Sequence, residues 1–80
     1  MYKVAVMGDR DSIYGFAALG LDTFPVTEPA EAAKLLRRIA ENEYAVIYIT
    51  EALSEVLETE IDNYREQRLP AIIPIPSVSG

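Results

Sequence analysis

Apolar residues concentrate in two dense runs, and the chain between and after them carries helical spacing. Tyr2, Val4, Ala5, Val6 and Met7 form the first run, broken only by Lys3 and ended by Gly8-Asp9. Tyr44-Ala45-Val46-Ile47-Tyr48-Ile49 forms the second and is β-branched and aromatic. Strict alternation would mark a strand with one wet face. Continuous runs of this length mark strands covered on both faces, as in the middle of a parallel sheet.

Between these runs the period changes. Ile13, Phe16, Ala17 and Gly20 recur at three- and four-residue steps, which predicts a helix over Ser12–Leu19. Asp11 or Ser12 would cap it, and Gly20 would stop it. Asp22-Thr23-Phe24-Pro25-Val26 reads as a short strand, and Pro25 confines it to an edge. Thr27 then suits an N-cap and Pro29 a first helical turn. The helix runs to about Asn42, with Ala32, Leu35, Leu36, Ile39 and Ala40 as its buried stripe.

Thr50 caps a third predicted helix, Glu51 to Glu66, whose inward stripe is Leu53, Val56, Leu57, Ile61 and Tyr64. Its outer arc carries Glu51, Glu55, Glu58, Glu60, Asp62 and Glu66 against Arg65 alone. A connection, Gln67-Arg68-Leu69-Pro70, leads to a last strand, Ala71–Pro76, where Pro74 again argues for an edge. Ser77–Gly80 reads as an open tail.

The order is β-α-β-α-β-α-β. Right-handed crossovers, apolar strands at the centre and proline-bearing strands at the edges give one arrangement. It is a small doubly wound α/β sheet with four parallel strands in the order 2-1-3-4 and helices on both faces, flavodoxin- or receiver-like. Residues 1–76 form this single domain, and 77–80 are expected to begin a C-terminal extension.

Composition narrows the chemistry. The 80 residues are half apolar and a quarter charged, which is globular, with room for one modest core. Seven Lys and Arg against thirteen Asp and Glu give a net charge of −6. That balance argues against nucleic acid and anionic membranes as partners. No run approaches the ~20 apolar residues of a membrane span. The expected location is the cytoplasm. Without cysteine or histidine, thiolate chemistry, disulfides and the commonest general base are excluded.

In a sheet of this kind ligands favour the crevice at the strand C-terminal ends. Gly8, Asp9, Arg10, Asp11, Thr50, Glu51, Pro76 and Ser77 fall on that rim. Gly8, Gly15 and Gly20 do not make a dinucleotide fingerprint, and two aspartates would repel a pyrophosphate. A phosphoacceptor receiver would place acids after the first strand, as Asp9 and Asp11 are. It would also need an aspartate where Thr50 stands and a lysine where Pro76-Ser77 stand. A degenerate receiver-like signalling domain is thus an alternative, against the plainer reading of a turn aspartate and a helix cap. The acids of the third helix read as a solvated face, one that a basic partner could meet. Tyr44, Tyr48 and Tyr64 read as packing residues. No catalytic residue, cofactor or metal ligand is assigned.

Three stretches resemble the F subunit of the V-type and A-type rotary ATPases. They are VAVMGDRDSIYGFAALG (Val4–Gly20), EYAVIYITEALSE (Glu43–Glu55) and LPAIIPIPSVSG (Leu69–Gly80). The carrying features are G-D-x-D with G-F after the first strand, I-T-E after the third, and P-x-I-I-x-I-P at the end. The resemblance implies a non-catalytic subunit of the central rotor shaft, peripheral to a membrane-bound complex. It implies binding to the coiled-coil rotor shaft, the D subunit, and a part in coupling ATP hydrolysis or synthesis to proton or sodium transport. It also implies a further helix past the final strand. Candidate contact residues are Tyr14, exposed on the first helix, and Ile72, Ile75, Pro76 and Val78 on and after the edge strand.

Overall fold

A computed structural model describes residues 3–78. Tyr2, Ser79 and Gly80, which the sequence assigns to the first strand and to the extension, lie outside the described residues. Four strands make one parallel sheet in the order β2-β1-β3-β4, as the strand pattern predicts. They are β1 (Lys3–Gly8), β2 (Asp22–Pro25), β3 (Tyr44–Thr50) and β4 (Ala71–Ile75). Both proline-bearing strands are edges, because a proline cannot donate to a neighbour on each side. Ala5, Val6 and Met7 of β1 are fully buried, so the first apolar run is covered on both faces.

The helices are α1 (Arg10–Ile13), α2 (Pro29–Ala40), α3 (Glu51–Val56) and α4 (Glu58–Asp62). The main core lies between the sheet and α2, α3 and α4. Ala5, Met7, Ile47 and Ile49 meet Ala32, Leu36, Ile39, Leu53, Leu57 and Ile61 there. Val6 and Ile13 are buried outside that cluster, on the α1 side. A right-handed crossover from β1 to β2 runs opposite to the other two, which places α1 on the second face.

Several boundaries differ from the sequence reading. The first helix starts early, at Arg10, and is capped by Asp9 rather than Asp11 or Ser12. It tightens into a 3-10 helix over Tyr14–Leu19. Gly20 ends it at φ 86°, a left-handed conformation that glycine adopts at no steric cost. The cap of α2 is Glu28, not Thr27. Pro29 occupies the first helical position, and the residue before a proline is held extended, as a cap must be. The Glu28 carboxylate accepts from the Glu31 amide at 2.8 Å.

The third helix is not continuous. Leu57, at φ −108° and ψ 17°, separates α3 from α4, and turns follow α4. The acids of the outer arc explain the weakness. Glu51/Glu55 and Glu58/Asp62 are like charges four apart, and Glu55/Glu58 three apart, each pair disfavouring a straight exposed helix. Leu53, Leu57 and Ile61, spaced by four, fill the core as expected, while Val56, at the margin of that stripe and expected inside, is 55% exposed.

Candidate interaction surface

The strand-end rim is built on hydrogen bonds within the chain. Asp9 leaves β1 directly after Gly8, and its Oδ2 accepts from the Ser12 amide at 3.1 Å and from Ser12 Oγ at 2.9 Å. Thr50, at the end of β3, is buried and accepts from the Leu53 amide at 3.4 Å through Oγ1. Ser77 and Val78, expected in an open tail, are held instead. Ser77 Oγ accepts from the Ala52 amide at 3.3 Å, and the Val78 amide donates to Ser12 Oγ at 3.0 Å. Pro76–Val78 therefore straps the rim, running from β4 past the start of α3 to α1.

This strap crosses the place where a ligand of a doubly wound sheet would enter. What remains beside it is a depression of about 290 Å³ lined by Asp9, Val26, Thr27, Thr50, Ala52, Leu53 and Val56. The Asp9 and Thr50 side chains in it already serve the caps of α1 and α3. Among the described residues no three acids converge on one point. The receiver reading needs an acceptor carboxylate at Thr50, whose side chain instead packs against Gly8.

Among the described residues, the strongly displaced acidity lies at the other end of the sheet. Burial, then the hydrogen bond and the charge of Asp22, push the Tyr44 hydroxyl up to about 12. Its OH donates to Asp22 Oδ2 at 2.7 Å. The pair ties β3 to β2 across β1, while Phe24 meets the Tyr44 ring edge-on and Lys3 Nζ lies 5.6 Å from its centroid. This is a structural clasp.

The contact residues expected from sequence are dispersed. Tyr14 is 75% exposed on the 3-10 helix, and Val78 69% exposed on the strap. Pro76 is exposed and Ile75 half-buried. Ile72 points the other way and packs against the core under α3 and α4. The sequence reading expects Ile73, like Ile72 and Ile75, to be exposed on an edge strand, but it does not single out Val46, Tyr48 and Phe16 as surface. Val46 and Tyr48 are half-buried rather than covered, Ile73 is 41% exposed, and Phe16 stacks on Tyr48 at 6.5 Å. Strand alternation carries the signal of Val46, Tyr48 and Ile73, once α1 is known to cover only part of their face.

The sequence profile of the ATP synthase (F/14-kDa) subunit family matches residues 4–80. The chain belongs to this family. The V-type ATP synthase F subunit of Clostridium perfringens is 48% identical over 81 residues, spanning 100% of this chain and 77% of that protein. The A-type ATP synthase F subunit of Methanosphaera stadtmanae is 35% identical over 79 residues, spanning 96% of this chain and 74% of that protein. The crystal structure of the V-type ATP synthase F subunit from Archaeoglobus fulgidus superposes with a TM-score of 0.72 at 25% identity. It covers 92% of this chain and 96% of its own. The stretches shared with the F-subunit family thus include the strapped rim and all four strands.

Proposed function

We propose that the chain is a non-catalytic rotor subunit of a V/A-type ATP synthase or ATPase. In this reading it sits in the central stalk, peripheral to the membrane on the cytoplasmic side, and binds the coiled-coil shaft, the D subunit. It helps couple ATP hydrolysis or synthesis to proton or sodium transport. The observation that carries the reading is family membership across residues 4–80. The rim adds support, because its hydroxyls and carboxylate are engaged in holding the fold. Among the described residues no helix is long and apolar enough to cross a membrane, and in this reading attachment runs through other subunits.

Mixing the purified chain with the shaft subunit and resolving the mixture by size exclusion tests this directly. Co-elution is expected, with no ATP hydrolysis by the chain alone. Failure to co-elute at micromolar concentrations of both would overturn it.

A further inference from the structure

The sheet ends in two free edges, β2 and β4, and each strand carries one proline. In a parallel strand alternate residues turn both N–H and C=O to the same neighbour. At β2 the Val26 amide donates to the Gly8 carbonyl at 2.8 Å, so Phe24 and Val26 serve the ladder to β1 and Pro25 turns outward. At β4 Pro74 stands in register with Ile49 and has no N–H to give it. The ladder to β3 therefore runs through Ala71, Ile73 and Ile75, and Ile72 and Pro74 turn their backbone to the free side. Each edge strand keeps a single outward residue with an N–H, Thr23 in β2 and Ile72 in β4.

Other ways of blunting an edge are missing at β4. Its five residues are an ordinary strand length. The stretch Leu69–Gly80 has no charged residue. The register to β3 runs from Ala71 to Ile75 without a bulge. Among the described residues no further strand pairs with its outer side, and a depression of about 620 Å³, lined in part by Ile61, Tyr64, Arg68, Ile72 and Pro74, opens beside it. Apart from Pro74 the strand is apolar and rich in isoleucine, a composition that pairs readily with a like strand. The proline is the device that remains. Its ring fills the place where an N–H would meet an arriving carbonyl. Pro70 before the strand and Pro76 after it offer no N–H either.

We propose that Pro74 closes the free edge of β4 to a further strand, whether from a second copy of this chain or from another protein. An uncharged apolar edge is thereby kept from extending its sheet. The inference stands apart from the functional reading above, since it follows from the ladder alone.

The test restores the missing donor. Pro74→Val and Pro74→Ala each add one outward N–H at an exposed position and leave the ladder to β3 as it is, so both are expected to fold. The alanine variant does so without a branched side chain, and circular dichroism checks both folds. Sedimentation equilibrium from micromolar to millimolar concentration should show a monomeric parent and at least tenfold tighter self-association of Pro74→Val, with Pro74→Ala changed in the same direction. Hydrogen exchange at the Ile72 amide should slow as the concentration of Pro74→Val rises, which marks pairing at this edge rather than contact between faces. If both folded variants stay as monomeric as the parent, or associate with Ile72 exchange unchanged, Pro74 is not what closes the edge. If the parent itself associates with its Ile72 amide protected, the edge is open and the proposal falls.

Discussion

Gly8 and Thr50 occupy one space. A Cβ built on Gly8 would lie 2.3 Å from Thr50 Cγ2 and 2.8 Å from its Oγ1, and Gly8 holds φ 154°. The two residues end adjacent central strands, and each starts a helix. Gly8 hands the chain to Asp9, which caps α1, while Thr50 itself caps α3. The side chain absent from the first is what lets the second reach its amide. Gly8→Ala should cost about 1–3 kcal/mol through overpacking. Thr50→Ala alone should cost about 1 kcal/mol as a lost cap, but much less in the Gly8→Ala background. Urea unfolding of both single variants and the pair measures the coupling. Strict additivity would show that the two do not compete for space.

The cap of α1 is Asp9 and not its neighbours. Asp9→Ala should lower stability by about 1 kcal/mol, because two hydrogen bonds from Ser12 lose their acceptor. Asp11→Ala, at an exposed first-turn position, should stay within about 0.5 kcal/mol of the parent. Denaturation midpoints of the two variants distinguish the assignments, and equal losses would contradict it.

Tyr44 should ionise late. Its hydroxyl is pushed up to about 12, above the unfolded value of about 10. The group is neutral in both states below pH ~10, so its contribution to stability is fully present there. Between pH ~10 and ~12 the unfolded chain loses the proton and the folded chain keeps it, and the contribution fades as pH rises through that window. Tyrosinate absorbance of the folded chain should show a late component among its five tyrosines. Asp22→Ala should move that component only part of the way down, since burial is the largest cause.

The strap makes a local prediction. Ser12 Oγ accepts the Val78 amide and donates to Asp9. Ser12→Ala should speed hydrogen exchange at Val78 severalfold and cost about 0.5–1.5 kcal/mol. Amides of β1 and β3 should keep their parent exchange rates apart from that global change. Unchanged exchange at Val78 would mean that the strap is not held there.

Ile72 and Ile73 show how much of the surface the sequence conveys. As neighbours in an apolar edge strand they look alike, and both read as exposed. Alternation guarantees that they point to opposite faces, yet it cannot say which face is covered. That depends on where α3 and α4 come to rest. Val56 faces outward although its helical spacing suits the core, because the stripe that meets the sheet is centred on Leu53, Leu57 and Ile61 and Val56 lies at its margin.

The crossover rule and the two apolar runs are enough for the strand order, and local chemistry is enough for the edge positions of the prolines, the glycine stop at Gly20 and the Thr50 cap. Each of these last three follows from what a proline, a glycine or a hydroxyl does to the backbone beside it. The absence of cysteine and histidine narrows the chemistry before any fold is known. Contacts distant in sequence decide the rest. Gly8 meets Thr50, Tyr44 meets Asp22, and Val78 meets Ser12, across gaps that no periodicity spans. The partial exposure of Val46, Tyr48 and Ile73 is a property of the same kind, because exposure is set by what the other elements leave uncovered.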